Sequence, residues 1–154
     1  VRISIVAIGR LPRSPELELV KLYIERATNA GRALGLGPVE VVEVESRKPG
    51  KSAEAEALSA HLADAHVIAC DERGKARPSR EFAGEIAALR DRGVRRLVFL
   101  IGGADGLDPE LAARAQGKLA FGPQTWPHAL ARAMLAEQVY RAVTILAGSP
   151  YHRD

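Results

Sequence analysis

Five apolar residues in a row, Leu97 to Ile101 (LVFLI), stop abruptly at the pair Gly102-Gly103. A strand that is apolar on both sides must be covered on both sides, which is the condition of a parallel sheet held between two helical layers. The rest of the chain reads in the same way. Arg2 to Ile8 (RISIVAI) has strand composition and ends at Gly9. Ser14-Pro15 then offers an N-cap and a first-turn proline for a helix with Leu17, Val20, Ile24 and Ala27 on one face, broken by Gly31 and Gly35. Val39 to Val44 (VEVVEV) is a second strand, followed by the basic loop Ser46 to Lys51 (SRKPGK).

Ser52 to Ala65 predicts a helix, with Glu54 and Glu56 in its first turns where a carboxylate suits the helix dipole. His66 to Cys70 (HVIAC) predicts a short strand stopping at Asp71, and Glu72 to Pro78 a charged loop. Ser79 then caps a helix with Phe82, Ala83, Ile86 and Leu89 on one face, ending near Gly93. Beyond the LVFLI strand come a short helix from Pro109 to about Gln116, a strand over Lys118 to Phe121, and a loop from Gly122 to His128. A last helix covers Ala129 to Ala147, its apolar stripe formed by Leu130, Met134, Leu135, Val139 and Val143. Alternating strands and helices imply an α/β fold with a mostly parallel sheet flanked by helices.

Length and composition narrow the class further. A chain of 154 residues, 47% hydrophobic, fits one domain over 1–154. No apolar run reaches the roughly 18 residues a membrane helix needs, so no membrane partner is expected. Val1 to Ile8 lacks the basic and apolar regions of a signal peptide, and the lone Cys70 cannot form an internal disulfide, so the expected location is cytoplasmic. The formal net charge of +3 permits a polyanionic partner without requiring one.

In a parallel sheet, ligands bind beyond the carboxyl ends of the strands. The first such loop, Gly9-Arg10-Leu11-Pro12, is not the G-x-G-x-x-G of a dinucleotide site, and no Walker A sequence is present. The loop Gly102 to Gly106 (GGADG) suits close approach of a ligand to the backbone, or a plain tight turn. Phe121 to Pro127 (FGPQTWP) is stiffened by two prolines; it is either a preset cradle for an aromatic ligand or a connection that packs Trp126 into the core. The tail Pro150 to Asp154 (PYHRD) is either a disordered end or a segment folded over a neighbouring site, with Arg153 meeting phosphate and Tyr151 stacking. Basic residues at Arg10, Arg13, Arg47, Lys48, Lys51, Arg73, Lys75, Arg77 and Arg80 form a positive rim if these loops share one sheet edge, or simply serve solubility. Glu137 and Arg141, four apart on the last helix, form an ordinary surface pair. Cys70 reads as a small apolar wall, and His61 and His66 lack partners at metal-ligand spacing, so no metal site is expected.

Taken in order, Ile101 to Gly106, Thr125-Trp126-Pro127-His128, Ala136 to Ala142 (AEQVYRA) and Pro150-Tyr151-His152-Arg153 resemble the RlmH family. These are SPOUT-class methyltransferases acting on N3 of a pseudouridine in large-subunit ribosomal RNA. The resemblance covers the whole chain. It implies a SPOUT-type α/β fold with a C-terminal trefoil knot, a homodimer, ribosomal RNA or the ribosome as partner, and S-adenosylmethionine as cofactor. By position it places the cofactor against Cys70, Gly102, Gly103, Phe121, Gly122, Pro123, Gln124, Thr125 and Trp126. Tyr151, His152 and Arg153 match the family tail associated with RNA binding and activity. The family more often has Leu-Ser where this chain has Phe121-Gly122, and Leu in place of Cys70. Two other classes remain compatible with the residues: a non-catalytic RNA-binding assembly factor, which needs no cradle, and a small-molecule methyltransferase, which needs no basic rim.

Overall fold

The computed structural model describes residues 1–154. β1 (Arg2–Ile8), β2 (Val39–Val44), β3 (His66–Ala76), β4 (Arg96–Ile101) and β5 (Gly117–Ala120) form one sheet in the order β2-β1-β4-β3-β5, every pairing parallel. The helices are α1 (Pro15–Gly31), α2 (Lys51–Ser59), α3 (Ser79–Asp91), α4 (Pro109–Arg114) and α5 (His128–Ala147).

Alternation along each strand divides the core in two. Ile3, Ile5 and Ala7 of β1 and Leu97, Phe99 and Ile101 of β4 face α1, α3 and α5, where they meet Ala27, Phe82, Ile86, Leu135 and Val139. Val6, Ile8, Val98 and Leu100 point the other way, against Ala55 and Leu58 of α2 and Leu111 and Ala112 of α4. Leu97 to Ile101 is therefore apolar throughout because each side of it has its own helical layer, and each of those residues is at most 4% exposed.

Helix ends follow local chemistry. The Ser14 hydroxyl accepts from the Leu17 amide at 3.2 Å and starts α1, and the Asp108 carboxylate does the same for Leu111 in α4; such caps stabilise by about 1 kcal/mol each. Gly148, at φ 72°, ends α5: its N–H donates to Ile145, the Ser149 N–H donates to Thr144, and the left-handed turn sends the tail back along the helix.

Four expectations are corrected. α2 stops at Ser59 instead of Ala65, because the chain turns back through Leu62 N–H to Ser59 C=O and a left-handed Asp64 (φ 57°) to enter β3. β3 does not end at Cys70. Its pairing with β5 jumps from Cys70↔Leu119 to Lys75↔Leu119, so Asp71 to Gly74 loop out and Lys75-Ala76 rejoin the sheet. Ser79 does not cap α3; Pro78 holds that position, and the Ser79 hydroxyl donates to Gln138 of α5 at 2.8 Å. On α5, Leu130 and Met134 of the expected apolar stripe are only half-buried, while Arg132, outside that stripe, is one of the most buried residues of the helix at 1% exposure.

Arg132 reaches across to the far ends of β1 and β2. Its Nη1 lies 2.8 Å from Glu43 Oε2, and Nη2 donates to the carbonyls of Ile8 and Gly9 at 3.3 and 3.2 Å. The same Glu43 oxygen accepts the Leu11 N–H at 2.7 Å. Burial pulls the Arg132 pKa down, and the Glu43 carboxylate opposes that shift.

Breaking this pair should be costly. Arg132→Ala is expected to lower stability by about 3–5 kcal/mol in chemical denaturation, because two carbonyls lose their donor and Glu43, left with the Leu11 N–H, loses its cation. Gly102→Ala should also destabilise, by about 1–3 kcal/mol, since a Cβ there would lie 2.6 Å from the carbonyl atoms of Gly106 and 2.8 Å from Leu107 N.

Candidate active site

The carboxyl ends of β4, β3 and β5 open into a cleft of about 780 Å³, within the range of a small-molecule site of about 300–1,000 Å³. Three segments build it. After β4, Gly102 to Leu107 fold into a tight turn closed by a Gly103–Gly106 bridge, with the Gly106 N–H donating to Gly103 at 3.0 Å. Gly102 is required there by the close approach of Gly106 and Leu107. Gly103 is less constrained: a Cβ would stand 2.8 Å from Oε2 of Glu54, the free end of a side chain that can swing aside, and 3.3 Å from Ile8.

The loop between β5 and α5 supplies Phe121, Gln124, Thr125, Trp126 and Pro127. Trp126 is 38% exposed, so it is not a core residue. Its indole N–H donates to the Phe121 carbonyl at 3.0 Å, which closes the loop on itself and turns the ring toward the cleft. The third segment, the outlooped part of β3, contributes Asp71, Glu72 and Arg73 beside Cys70. Glu72 accepts from the Thr125 hydroxyl at 2.8 Å, tying the β3 excursion to the proline-stiffened loop. Burial pushes Asp71 up, but hydrogen bonds from the Arg73 backbone and guanidinium outweigh it and hold the carboxyl below the usual range. Burial pushes the Cys70 thiol up to about 12, which makes it an inert wall.

Of the cofactor residues expected from sequence, Cys70, Gly102, Gly103, Phe121, Gln124, Thr125 and Trp126 line this cleft together. Gly122 and Pro123 belong to the same loop without lining it. Sequence reasoning missed Asp71, Glu72 and Arg73 as lining residues, having placed them in a loop past the strand. It also missed Lys51 and the α5 start, His128 and Ala131. The cleft fits a cationic adenosyl sulfonium. Ile101, Leu107, Leu119 and Phe121 give apolar walls, Gln124 and backbone groups give hydrogen bonds, and the carboxylates of Glu72 and Asp105 suit positive charge, Asp71 being taken up by Arg73. No group of three or more His, Cys, Asp or Glu side chains is placed to hold a metal ion.

The tail is ordered and lies elsewhere. Tyr151 packs edge-on against Tyr140, with ring centroids 4.7 Å apart, and under the Arg141 guanidinium at 4.8 Å. Burial, the Tyr23 hydroxyl and the Glu137 carboxylate push its phenol up to about 12. Arg141 binds Glu137 at 2.7 Å and donates to His152 Nδ1 at 3.0 Å. A guanidinium has no lone pair to offer, so Nδ1 accepts and the ring proton sits on Nε2, which donates to Asp154 at 3.0 Å. Asp154 in turn pairs with Arg80 at 2.8 Å. The expected surface pair Glu137–Arg141 is thus the root of a network that fixes the orientation of the His152 ring. Arg153 is exposed and makes no ion pair. Tyr151, His152 and Arg153 do not line the cleft of their own chain.

The expected basic rim divides in two. Arg73, Lys75, Arg77 and Arg80 are each paired with a carboxylate, and Arg77 also donates to the Lys118 carbonyl of β5 at 2.9 Å, so it braces the sheet. Arg10, Arg13, Arg47, Lys48 and Lys51 are exposed and unpaired.

A family model described as "Predicted SPOUT methyltransferase" matches residues 1–152. A protein of Phenylobacterium zucineum (strain HLK1) named Ribosomal RNA large subunit methyltransferase H is 88% identical over 154 residues, covering 100% of both chains. A protein of the same name from Caulobacter sp. (strain K31) is 68% identical over the full length of both. Among solved structures, a probable methyltransferase from Bordetella pertussis Tohama I superposes with a TM-score of 0.54 at 20% identity, over 92% of this chain and 96% of that one, a likeness of fold.

Alkylation reads the Cys70 environment directly. At pH 8 the native thiol is expected to react with iodoacetamide about a thousandfold more slowly than an ordinary cysteine, because a raised pKa leaves almost no thiolate; unfolding should restore the ordinary rate.

Proposed function

The chain belongs to the SPOUT methyltransferase family, and from that premise we propose that it methylates large-subunit ribosomal RNA, at N3 of a pseudouridine, with S-adenosylmethionine as methyl donor. The observation that carries this reading is the cleft: glycines that admit a ligand to the backbone, a self-closed Trp126 loop, and carboxylates facing a space of the right size. Full-length identity to proteins named for large-subunit ribosomal RNA methylation supports the substrate class.

When bound, the cofactor supplies an electrophilic methyl group on a positively charged sulfur. The chain's part is to hold and orient. Gly102, Gly103 and the Phe121–Trp126 loop would form the seat, with the Glu72–Thr125 hydrogen bond keeping two of its walls together. Leu107, Phe121 and Trp126 exclude water from the reacting face. Pseudouridine N3 must lose its imide proton. His152 is the tail residue suited to place the base or relay that proton; the Arg141 and Asp154 contacts hold its ring, and Nδ1 is free to accept once Arg141 moves off it. Arg153, having no partner of its own, would meet phosphate or the negative charge growing on the uracil oxygens. The tail lies apart from its own cleft, and Leu19 and Leu22 of α1 are exposed at 40% and 38%. Both features support a homodimer in which one copy's tail serves the other's cleft. A trefoil knot at the C-terminal end, a single domain over 1–154 and a cytoplasmic location complete the proposal.

Mass spectrometry of ribosomal RNA from cells with and without this gene is expected to show one methyl group missing from a large-subunit pseudouridine when the gene is absent. An unchanged methylation pattern overturns the reading. In single-turnover transfer with cofactor and RNA saturating, His152→Ala should slow the reaction by about 10²–10⁴-fold and leave cofactor affinity intact in calorimetry. Full activity of that variant removes the proton role.

A further inference from the structure

The unpaired cations are gathered in one place. β1 and β2 are parallel neighbours in the register Ile8↔Val44, so the segments leaving them, 9–14 and 45–50, emerge side by side at the carboxyl edge of the sheet. β4 lies on the other side of β1, with Ala7 opposite Ile101, so the cleft opens directly beside these segments. Arg10 and Arg13 stand on the first, Arg47 and Lys48 on the second, and Lys51 begins α2 and lines the cleft.

None of these side chains is used by the fold: each is exposed, and none makes an ion pair or a side-chain hydrogen bond. The nearby carboxylates are Glu43, committed to Arg132 and the Leu11 N–H, Glu45, exposed at the start of the second segment, Glu54 of α2, beside Gly103 and Ile8, and Asp105 in the cleft wall; they are fewer than the cations of the edge. Both segments are nonetheless held. Leu11 is buried, Ser14 Oγ donates to the Pro12 carbonyl at 3.0 Å, and Ser46 Oγ donates to the Lys48 carbonyl at 2.6 Å. On the opposite flank of the cleft, Arg73, Lys75, Arg77 and Arg80 are neutralised by Asp71, Glu81, Glu85 and Asp154. A polyanion thus meets free positive charge on one flank of the cleft and balanced pairs on the other.

We propose, resting on the methyltransferase reading above, that the phosphodiester backbone of the RNA substrate runs along the edge formed by the β1 and β2 loops, with its phosphates held by Arg10, Arg13, Arg47 and Lys48. Lys51 stands where that track meets the cleft. The charged stretch Arg73 to Arg80, which by sequence is as basic, takes no part in it: its cations hold the β3 excursion, α3 and the tail in place.

Two variants of equal charge test this. One removes the edge cations (Arg10→Ala, Arg13→Ala, Arg47→Ala, Lys48→Ala). The other replaces Arg32, Arg92, Arg95 and Arg96 by Ala, residues also unpaired but located where the chain enters β2 and β4, at the amino edge of the sheet. Binding of ribosomal RNA is measured against salt, with methyl transfer to ribosomal particles and cofactor calorimetry in parallel. The edge variant is expected to bind at least tenfold more weakly near physiological salt. Its slope of log affinity against log salt should be shallower by about 0.7 for each phosphate that is no longer neutralised, with cofactor affinity unchanged. The amino-edge variant should keep the wild-type slope. An unchanged slope in the edge variant overturns the track, and so does an equal weakening in both variants, which would mean attraction to net charge alone. Wild-type protein that binds RNA but transfers no methyl overturns the functional reading while the two slopes still decide the track. Wild-type protein that does not bind RNA overturns both.

Discussion

A guanidinium with 1% exposure, placed one turn into the last helix, joins three parts of the molecule that the chain visits far apart. Arg132 neutralises Glu43 of β2 and caps the carbonyls of Ile8 and Gly9 at the end of β1. Through Glu43 it also sets the Leu11 amide. Burying such a charge is favourable only when its partners are close and most of its protons are used; Nη1 and Nη2 are partnered here, and Nε alone is not. Here the partners are the points from which the β1 loop departs. The same contacts tie the first turns of α5, which follow the Phe121–Trp126 loop, to the ends of β1 and β2. The ligand cleft and the free basic edge are thus held in one frame by one side chain.

The cleft shows how a strand can be interrupted for function and still keep its place in the sheet. β3 pairs with β5 through Cys70, leaves the sheet over Asp71 to Gly74, and rejoins it at Lys75. The excursion is locked rather than loose. A Cβ on Gly74 would lie 2.9 Å from Asp71 O and Leu119 N, Arg73 clamps the Asp71 carboxylate, and Arg77 braces Glu85 and the Lys118 carbonyl. Such an outloop sets carboxylates at the mouth of a parallel sheet, where a cationic ligand would need them. The Thr125–Glu72 bond then couples this wall to the loop before α5.

Ion pairing separates residues that look alike in the chain. Arg73, Lys75, Arg77 and Arg80 match Arg10, Arg13, Arg47 and Lys48 in type and density, yet one set is paired with carboxylates of the same chain and the other is free. The tail follows the same logic. Tyr151 is held by Tyr140 and Arg141, His152 by Arg141 and Asp154, and Arg153 alone is left to act outward.

By itself the sequence determined the α/β class, the parallel sheet and the glycine turn after β4, because alternation, apolar runs and glycine breaks are local patterns with local causes. It also marked most of the cleft wall, since Gly102, Gly103, Thr125 and Trp126 sit in short, unusual motifs. The tertiary structure alone decided the rest. Whether Arg132 was surface or core depended on Glu43, 89 residues away. Whether β3 ended at Cys70 depended on a β5 partner for Lys75, and whether a cation was free depended on carboxylates brought near by folding. These are long-range pairings, and no window along the chain contains both partners.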